Sequence, residues 1–151
     1  MRVTTIGTGT AAPHPARAQA ATLIEVGDVR LLLDCGSAAV LRMAERGLPW
    51  QDITHVAITH FHADHTTDLA NLIYAWHYGQ LPPRTHPIDL IGPPGFATLV
   101  EAMKPVFGAD LLQRPFPVTV TELPAGEQKE LAEDVRLEPF KVPHTDESVA
   151  Y

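Results

Sequence analysis

Short apolar runs alternate with segments of helical period along most of this chain. Val3 to Ile6 reads as a first strand. Thr22 to Val26 and Val29 to Leu33 read as two more, joined by Gly27-Asp28, a good two-residue hairpin turn. Ser37 to Arg46 predicts a short helix with Val40, Met43 and Ala44 on one side; Gly47 ends it and Pro49 prevents its continuation. Ile53 to Thr59 returns to the sheet, and Val56 to Thr59 is apolar enough to be buried. A second helix follows over Asp68 to Tyr78, with Leu69, Leu72, Ile73 and Trp76 at core spacing and Gly79 as its stop. Ile88 to Ile91 is a strand, and Gly92-Pro93-Pro94-Gly95 opens a helix striped by Phe96, Leu99, Val100, Met103 and Phe107. Pro105 and Gly108 are expected to close it. Val118 to Leu123 alternates as a strand, Pro124 to Asp134 is polar and turn-like, and Val135 to Val142 is a further strand.

The chemistry collects where the strand ending at Thr59 should leave its sheet. There the chain reads His60-Phe61-His62-Ala63-Asp64-His65, on a loop that the pattern puts between a rigid strand and a rigid helix. His60 and His62, two apart, can point the same way while Phe61 turns into the core. Asp64 and His65 lie just before the helix, whose N-terminal end favours an ionised carboxylate and a neutral imidazole, the forms that bind metal. With 8 His in 151 residues, such a pattern arises by chance on the order of once in a thousand chains, so a polar surface loop is the poorer reading. Three imidazoles and a carboxylate suit zinc best, with iron or manganese as the other choices.

The remaining histidines carry less. His55 within the strand and His77 near a helix end read as structural or packing residues, and His86 as a loop residue. His14 and Arg17 could touch substrate or be an exposed loop pair. His144 ends the last long strand, and spacing alone leaves it open between ligand and loop. Gly7-Thr8-Gly9-Thr10-Ala11-Ala12 after the first strand has the outline of a dinucleotide loop, but Pro13 and Pro15 block the helix that motif requires. Asp34-Cys35-Gly36 ends a strand; Asp34 could cap the next helix, and Cys35 reads as a small buried residue.

The His-x-His-x-Asp-His stretch resembles the signature of the metallo-β-lactamase superfamily, and the resemblance extends over the whole chain. It implies an α/β fold, an αββα sandwich of which residues 1–151 are about the N-terminal half. It also implies two metal ions: His60, His62 and His144 on one, Asp64 and His65 on the other, with Asp64 orienting the attacking water. Asp34 would support the metal loop from behind, compatibly with capping. Within the superfamily, the Gly-Thr-Gly-Thr-Ala-Ala-Pro opening, Leu-Asp-Cys-Gly and the surroundings of His144 resemble the ribonuclease Z and phosphodiesterase branch. That branch implies a hydrolase acting through metal-activated water on a small phosphodiester or an RNA 3′ end. Ala63 and Asp68-Leu69-Ala70-Asn71-Leu72 depart from the ribonuclease Z pattern. A lactone or thioester hydrolase of the same superfamily and a non-catalytic metal-binding protein are the competing readings. The bridging aspartate and final histidine of the family have no counterpart after His144, so the chain is expected to be truncated before them.

Composition narrows this. At 151 residues with 45% hydrophobic content the chain is one domain in size and can bury a real core. No apolar run reaches membrane-spanning length, and Met1-Arg2-Val3 opens directly into a strand, so neither membrane nor signal peptide is expected. A single cysteine excludes an internal disulfide and fits a reducing cytoplasm. The net charge of −7 works against gripping a polyanion, which favours a small diester over folded RNA. An unpaired strand end permits a homodimer.

Overall fold

The computed structural model describes residues 1–151. Its centre is a six-stranded sheet in the order β1 (Arg2–Gly7), β2 (Ala21–Val26), β3 (Val29–Leu33), β4 (His55–Ala57), β5 (Ile88–Gly92) and β6 (Val118–Glu122). The first three strands run antiparallel; β3 through β6 run parallel. The β2–β3 hairpin closes with Val26 opposite Val29, and Gly27 takes φ +53°, a left-handed conformation that costs glycine little.

Helices make the parallel connections, because parallel neighbours need a crossover. They are α1 (Ala39–Glu45), α3 (Leu69–Tyr78) and α4 (Phe96–Phe107), with the one-turn α2 (Ala63–Thr66) between β4 and α3. All three longer helices bury their apolar faces in one cluster. Met43, Leu72, Trp76, Phe96 and Val100 meet Leu23, Leu32, Val56 and Leu90 from the sheet. The opposite face of the same strands presents Val29, Leu31, Ala57 and Ile91, packed with Leu123 and Leu137. This two-sided burial explains why β3 to β5 read as apolar runs rather than alternating ones.

Several expectations change in the structure. Strand β4 is only three residues long, and Ile58 and Thr59 follow it outside the strand. Asp64 and His65 do not sit in a loop before the helix: they lie inside α2, and α3 starts only at Leu69. Pro105 does not end α4, which continues to Phe107 and stops at Gly108, φ +110°. The polar stretch from Pro124 contains β7 (Lys129–Ala132), paired with β8 (Val135–Leu137). The expected long strand to Val142 is broken into β8 and β9 (Phe140–Lys141), the latter paired with β10 (Val149–Ala150). Short-range pattern could not show these breaks, since both halves have strand-like composition. No helix is long and apolar enough to cross a membrane.

Sequence pattern gave no sign of Arg84, which anchors the entry to β4. It is 2% exposed. Its guanidinium donates to the carbonyls of Gln51, Ile53, His86 and Pro87 at 2.7–2.8 Å. The same group lies 4.8 Å from the Trp76 ring centroid. Burial pulls its pKa down to about 10, so it stays charged at neutral pH.

Candidate metal centre

The parallel strands end on one side of the sheet, the side where open α/β folds place their ligands. Adjacent strand ends supply the parts. After β3 the chain gives Asp34, Cys35 and Gly36; after β4 it gives Thr59 to His65; the turn between β9 and β10 gives His144.

Three imidazoles converge there. His60 Nε2 lies 3.2 Å from His62 Nδ1, and His144 Nε2 lies 3.2 Å from the same atom. The three ligand nitrogens all fall within 4.8 Å of one another. A tetrahedral metal with bonds of about 2.0–2.1 Å sets its ligand nitrogens roughly 3.3 Å apart. One Nδ1 has a single proton or a single lone pair, so mutual hydrogen bonding cannot serve both approaches well. A shared cation satisfies all three nitrogens, and the donor set therefore fits a metal. His60 is buried, whereas His62 and His144 are exposed, which leaves the cluster open to solvent on one side.

His65 and Asp64 stand next to this trio. The rings of His60 and His65 are 4.1 Å apart, and His65 Nε2 is 3.7 Å from Asp64 Oδ2. His65 Nδ1 bonds Asp34 Oδ2 at 2.7 Å. An ionised carboxylate only accepts, so Nδ1 carries a proton toward Asp34 and Nε2 is the ring nitrogen that faces Asp64. Asp34 itself holds φ +58°, a left-handed position that Asp tolerates better than most residues. Its other oxygen accepts the Thr59 N–H at 2.8 Å. Asp34 thus braces the metal loop but does not cap α1. The carboxylate that serves α1 is Asp68, which accepts the Val40 N–H at 3.0 Å from the other end of the site.

Backbone contacts lock these pieces together. Cys35, fully buried, donates its N–H to the His65 carbonyl at 2.8 Å and accepts from Asp68 N–H at 2.9 Å. A Cβ on Gly36 would lie 2.0 Å from the Asp64 carbonyl oxygen, so only glycine lets α2 approach this closely. The His144 turn is tied down by Val149, whose N–H donates to Thr59 O at 3.0 Å, and by Tyr151, whose hydroxyl donates to Ile58 O at 3.1 Å. Within the turn, Thr145 and Ser148 bond each other side chain to side chain. Apart from the local Thr145–Ser148 pair, these partners show no motif, because each bond joins residues remote in sequence or uses main-chain atoms.

The remaining candidates lie elsewhere. His14 pairs with Arg17 across a tight backbone bridge in the first loop. His55 bonds Thr54 Oγ1 at 2.8 Å and lines, with His86, a cleft of about 650 Å³ at the opposite end of the sheet. His77 stacks edge-on against Tyr78.

The electrostatics separate the two neighbouring rings. Burial lowers the His60 pKa, with His65 adding to the shift, and this favours the neutral, ligating form. The hydrogen bond to Asp34 raises that of His65. In metal-free chain, a raised histidine pKa contributes stability that is complete below about pH 6.5 and lost as the pH rises through the folded-state value. Asp34→Asn removes that contribution. The destabilisation it causes, measured by denaturant unfolding in chelator, should be larger at about pH 6 than at about pH 9. An identical loss at both values would show that the Asp34–His65 pair does not titrate as described.

Sheet order and strand-end placement make this a mixed α/β fold with an imidazole cluster at its strand ends, and comparison with known proteins identifies it as a ribonuclease Z-like member of the metallo-β-lactamase superfamily. A family model described as Anti-Pycsar protein Apyc1 matches residues 1–151. The chain belongs to that family. Ribonuclease Z of Mycobacterium sp. (strain KMS) is 36% identical over 135 residues, covering 83% of this chain and 47% of that protein. The metallo-beta-lactamase fold protein YhfI from Bacillus subtilis superposes with TM-score 0.70 at 22% identity, covering 97% of this chain and 56% of that one. The short form of human tRNase Z gives TM-score 0.66 at 28% identity over 80% of this chain and 44% of that one. The chain spans about half the length of the curated relatives it matches.

Proposed function

We propose that this chain carries the metal centre of a zinc-dependent hydrolase that opens a phosphodiester with metal-activated water. The convergence of His60 Nε2, His62 Nδ1 and His144 Nε2 carries this reading. These three would hold one ion, and Asp64 and His65 would contribute to a second. Imidazole and carboxylate ligands in this number suit zinc ahead of iron or manganese. Bound zinc supplies Lewis acidity toward a phosphoryl oxygen and lowers the pKa of water toward neutrality. Asp64, with 16% of its side-chain surface exposed, is assigned to orient the attacking water. Asp34 holds His65 by direct contact and so keeps its Nε2 free.

The half-length match supports taking residues 1–151 as the N-terminal part of a longer domain, the rest completing the second ion's ligands. The name of the Mycobacterium relative supports a phosphodiester. The net charge of −7 supports a small one over an RNA 3′ end, because contacts to phosphates supply most non-specific nucleic-acid affinity. The lone, buried Cys35 supports a cytoplasmic setting. The full gene product should turn over an aryl phosphodiester faster than a precursor tRNA, an acyl lactone or a glutathione thioester. Fastest turnover of the lactone or thioester would overturn the phosphodiester assignment. Salt-sensitive cleavage of the precursor tRNA as the fastest reaction would overturn the choice of a small substrate, and no turnover at all would leave a metal-binding protein.

A further inference from the structure

Thr59 sits at the junction of both ligand sets. Its hydroxyl oxygen is 3.1 Å from Asp34 Oδ1 and 3.0 Å from Asp34 Oδ2. On its other side it is 3.0 Å from His60 Nδ1. A hydroxyl has one proton to give, and a carboxylate can only accept. The arrangement that satisfies both neighbours sends the Thr59 proton to Asp34 and leaves the Thr59 oxygen to accept from His60. That fixes the proton of His60 on Nδ1 and leaves the Nε2 lone pair directed at His62 and His144, 3.2 Å from His62 Nδ1. The backbone makes this geometry hard to lose. Thr59 N–H is bonded to Asp34, and Thr59 O accepts from Val149, so both main-chain groups of the residue are pinned.

We propose that Thr59 is a positioning residue that sets the His60 tautomer and, through Asp34, couples the orientation of His60 to that of His65. One carboxylate thus serves both sets: His65 by direct contact and His60 by way of the Thr59 hydroxyl. A methyl in place of that hydroxyl leaves His60 Nδ1 without an acceptor, so the ring is free to protonate Nε2 or to rotate. The inference rests on the metal assignment for its consequence, but the tautomer is a property of the chain alone.

Two measurements on the 151-residue chain test it separately. The first is the nitrogen-15 shift pattern of the His60 ring in the metal-free wild type, which should show the Nδ1–H tautomer. An Nε2–H pattern would overturn the inference whether or not zinc binds. The second is zinc affinity by competition with a chromophoric chelator. Outer partners of ligating histidines are typically worth about 10- to 100-fold in affinity. Thr59→Val should lose an amount in that range, and Thr59→Ser, which keeps the hydroxyl, should stay within about threefold of wild type on the same scale. A folded Thr59→Val chain that binds zinc as tightly as wild type would overturn the positioning role. Equal losses in the valine and serine variants would do the same, since a merely structural residue would not distinguish them. If the valine variant does not fold, the tautomer pattern and the serine variant decide. Wild-type chain that shows the expected tautomer yet binds no zinc would sink the metal assignment and leave the tautomer claim standing.

Discussion

Arg84→Met should cost the fold about 3–5 kcal/mol, because several buried acceptors lose one shared donor at about 1–3 kcal/mol each where water cannot replace it. Methionine fills much of the same volume, so the loss comes from polar groups rather than from a void. Four carbonyls, those of Gln51, Ile53, His86 and Pro87, lose their donor together. Each buried acceptor left unpaired costs about 1–3 kcal/mol, less where water can reach it. The contact of the guanidinium with the Trp76 and Phe116 rings is lost as well. Arg84→Lys keeps a charge but cannot reach four acceptors with a planar fork, and should lose a smaller part, about 1–2 kcal/mol. Urea unfolding in chelator measures both. The effect should extend to the metal centre, because Gln51 and Ile53 lead into β4 and β4 delivers His60. A methionine variant within about 1 kcal/mol of wild type would show that these hydrogen bonds are replaced by water at little cost.

His60→Ala should remove most zinc binding, by at least about 100-fold, the upper end of what outer partners alone contribute. His60 is the buried member of the trio and the one held by Thr59. His62→Ala and His144→Ala should fall in the same range. His86→Ala should change nothing, because His86 lines the cleft at the far end of the sheet. The consequence for stability follows by mass action. Zinc at 100 times its dissociation constant adds about 2.7 kcal/mol to a chain that binds it only when folded. Wild type should therefore melt higher in zinc than in chelator, and His60→Ala should lose most of that shift. A full zinc-dependent shift retained in His60→Ala would place the ion elsewhere.

What the sequence disclosed and what it withheld divide along physical lines. The β2–β3 hairpin was readable because Gly27-Asp28 decides it locally. The clustering of the His60 to His65 side chains was readable because their spacing is set within six residues. The approach of His144 to His60 and His62 was expected only through resemblance, since no local pattern brings a histidine 82 residues beyond His62 to the same place. The contacts of Thr59, Asp68, Gly36 and Arg84 were not readable. Each depends on a partner brought near by the sheet, such as Asp34 reaching Thr59 across the β3–β4 pair. Asp34 shows the limit well: two roles fitted its position, and only the fold brings it to Thr59 and His65 while Asp68 serves α1. The break between β8 and β9 was hidden for a different reason, because period-two alternation does not report where pairing stops.

The most direct measurement is anomalous diffraction at the zinc edge from crystals of the zinc-loaded chain. It should show an ion bound by His60 Nε2, His62 Nδ1 and His144 Nε2 at about 2.0–2.1 Å, the ordinary zinc–imidazole distance. An ion held without His144, or a His144 ring turned away from His60 and His62, would contradict the metal centre proposed for this chain.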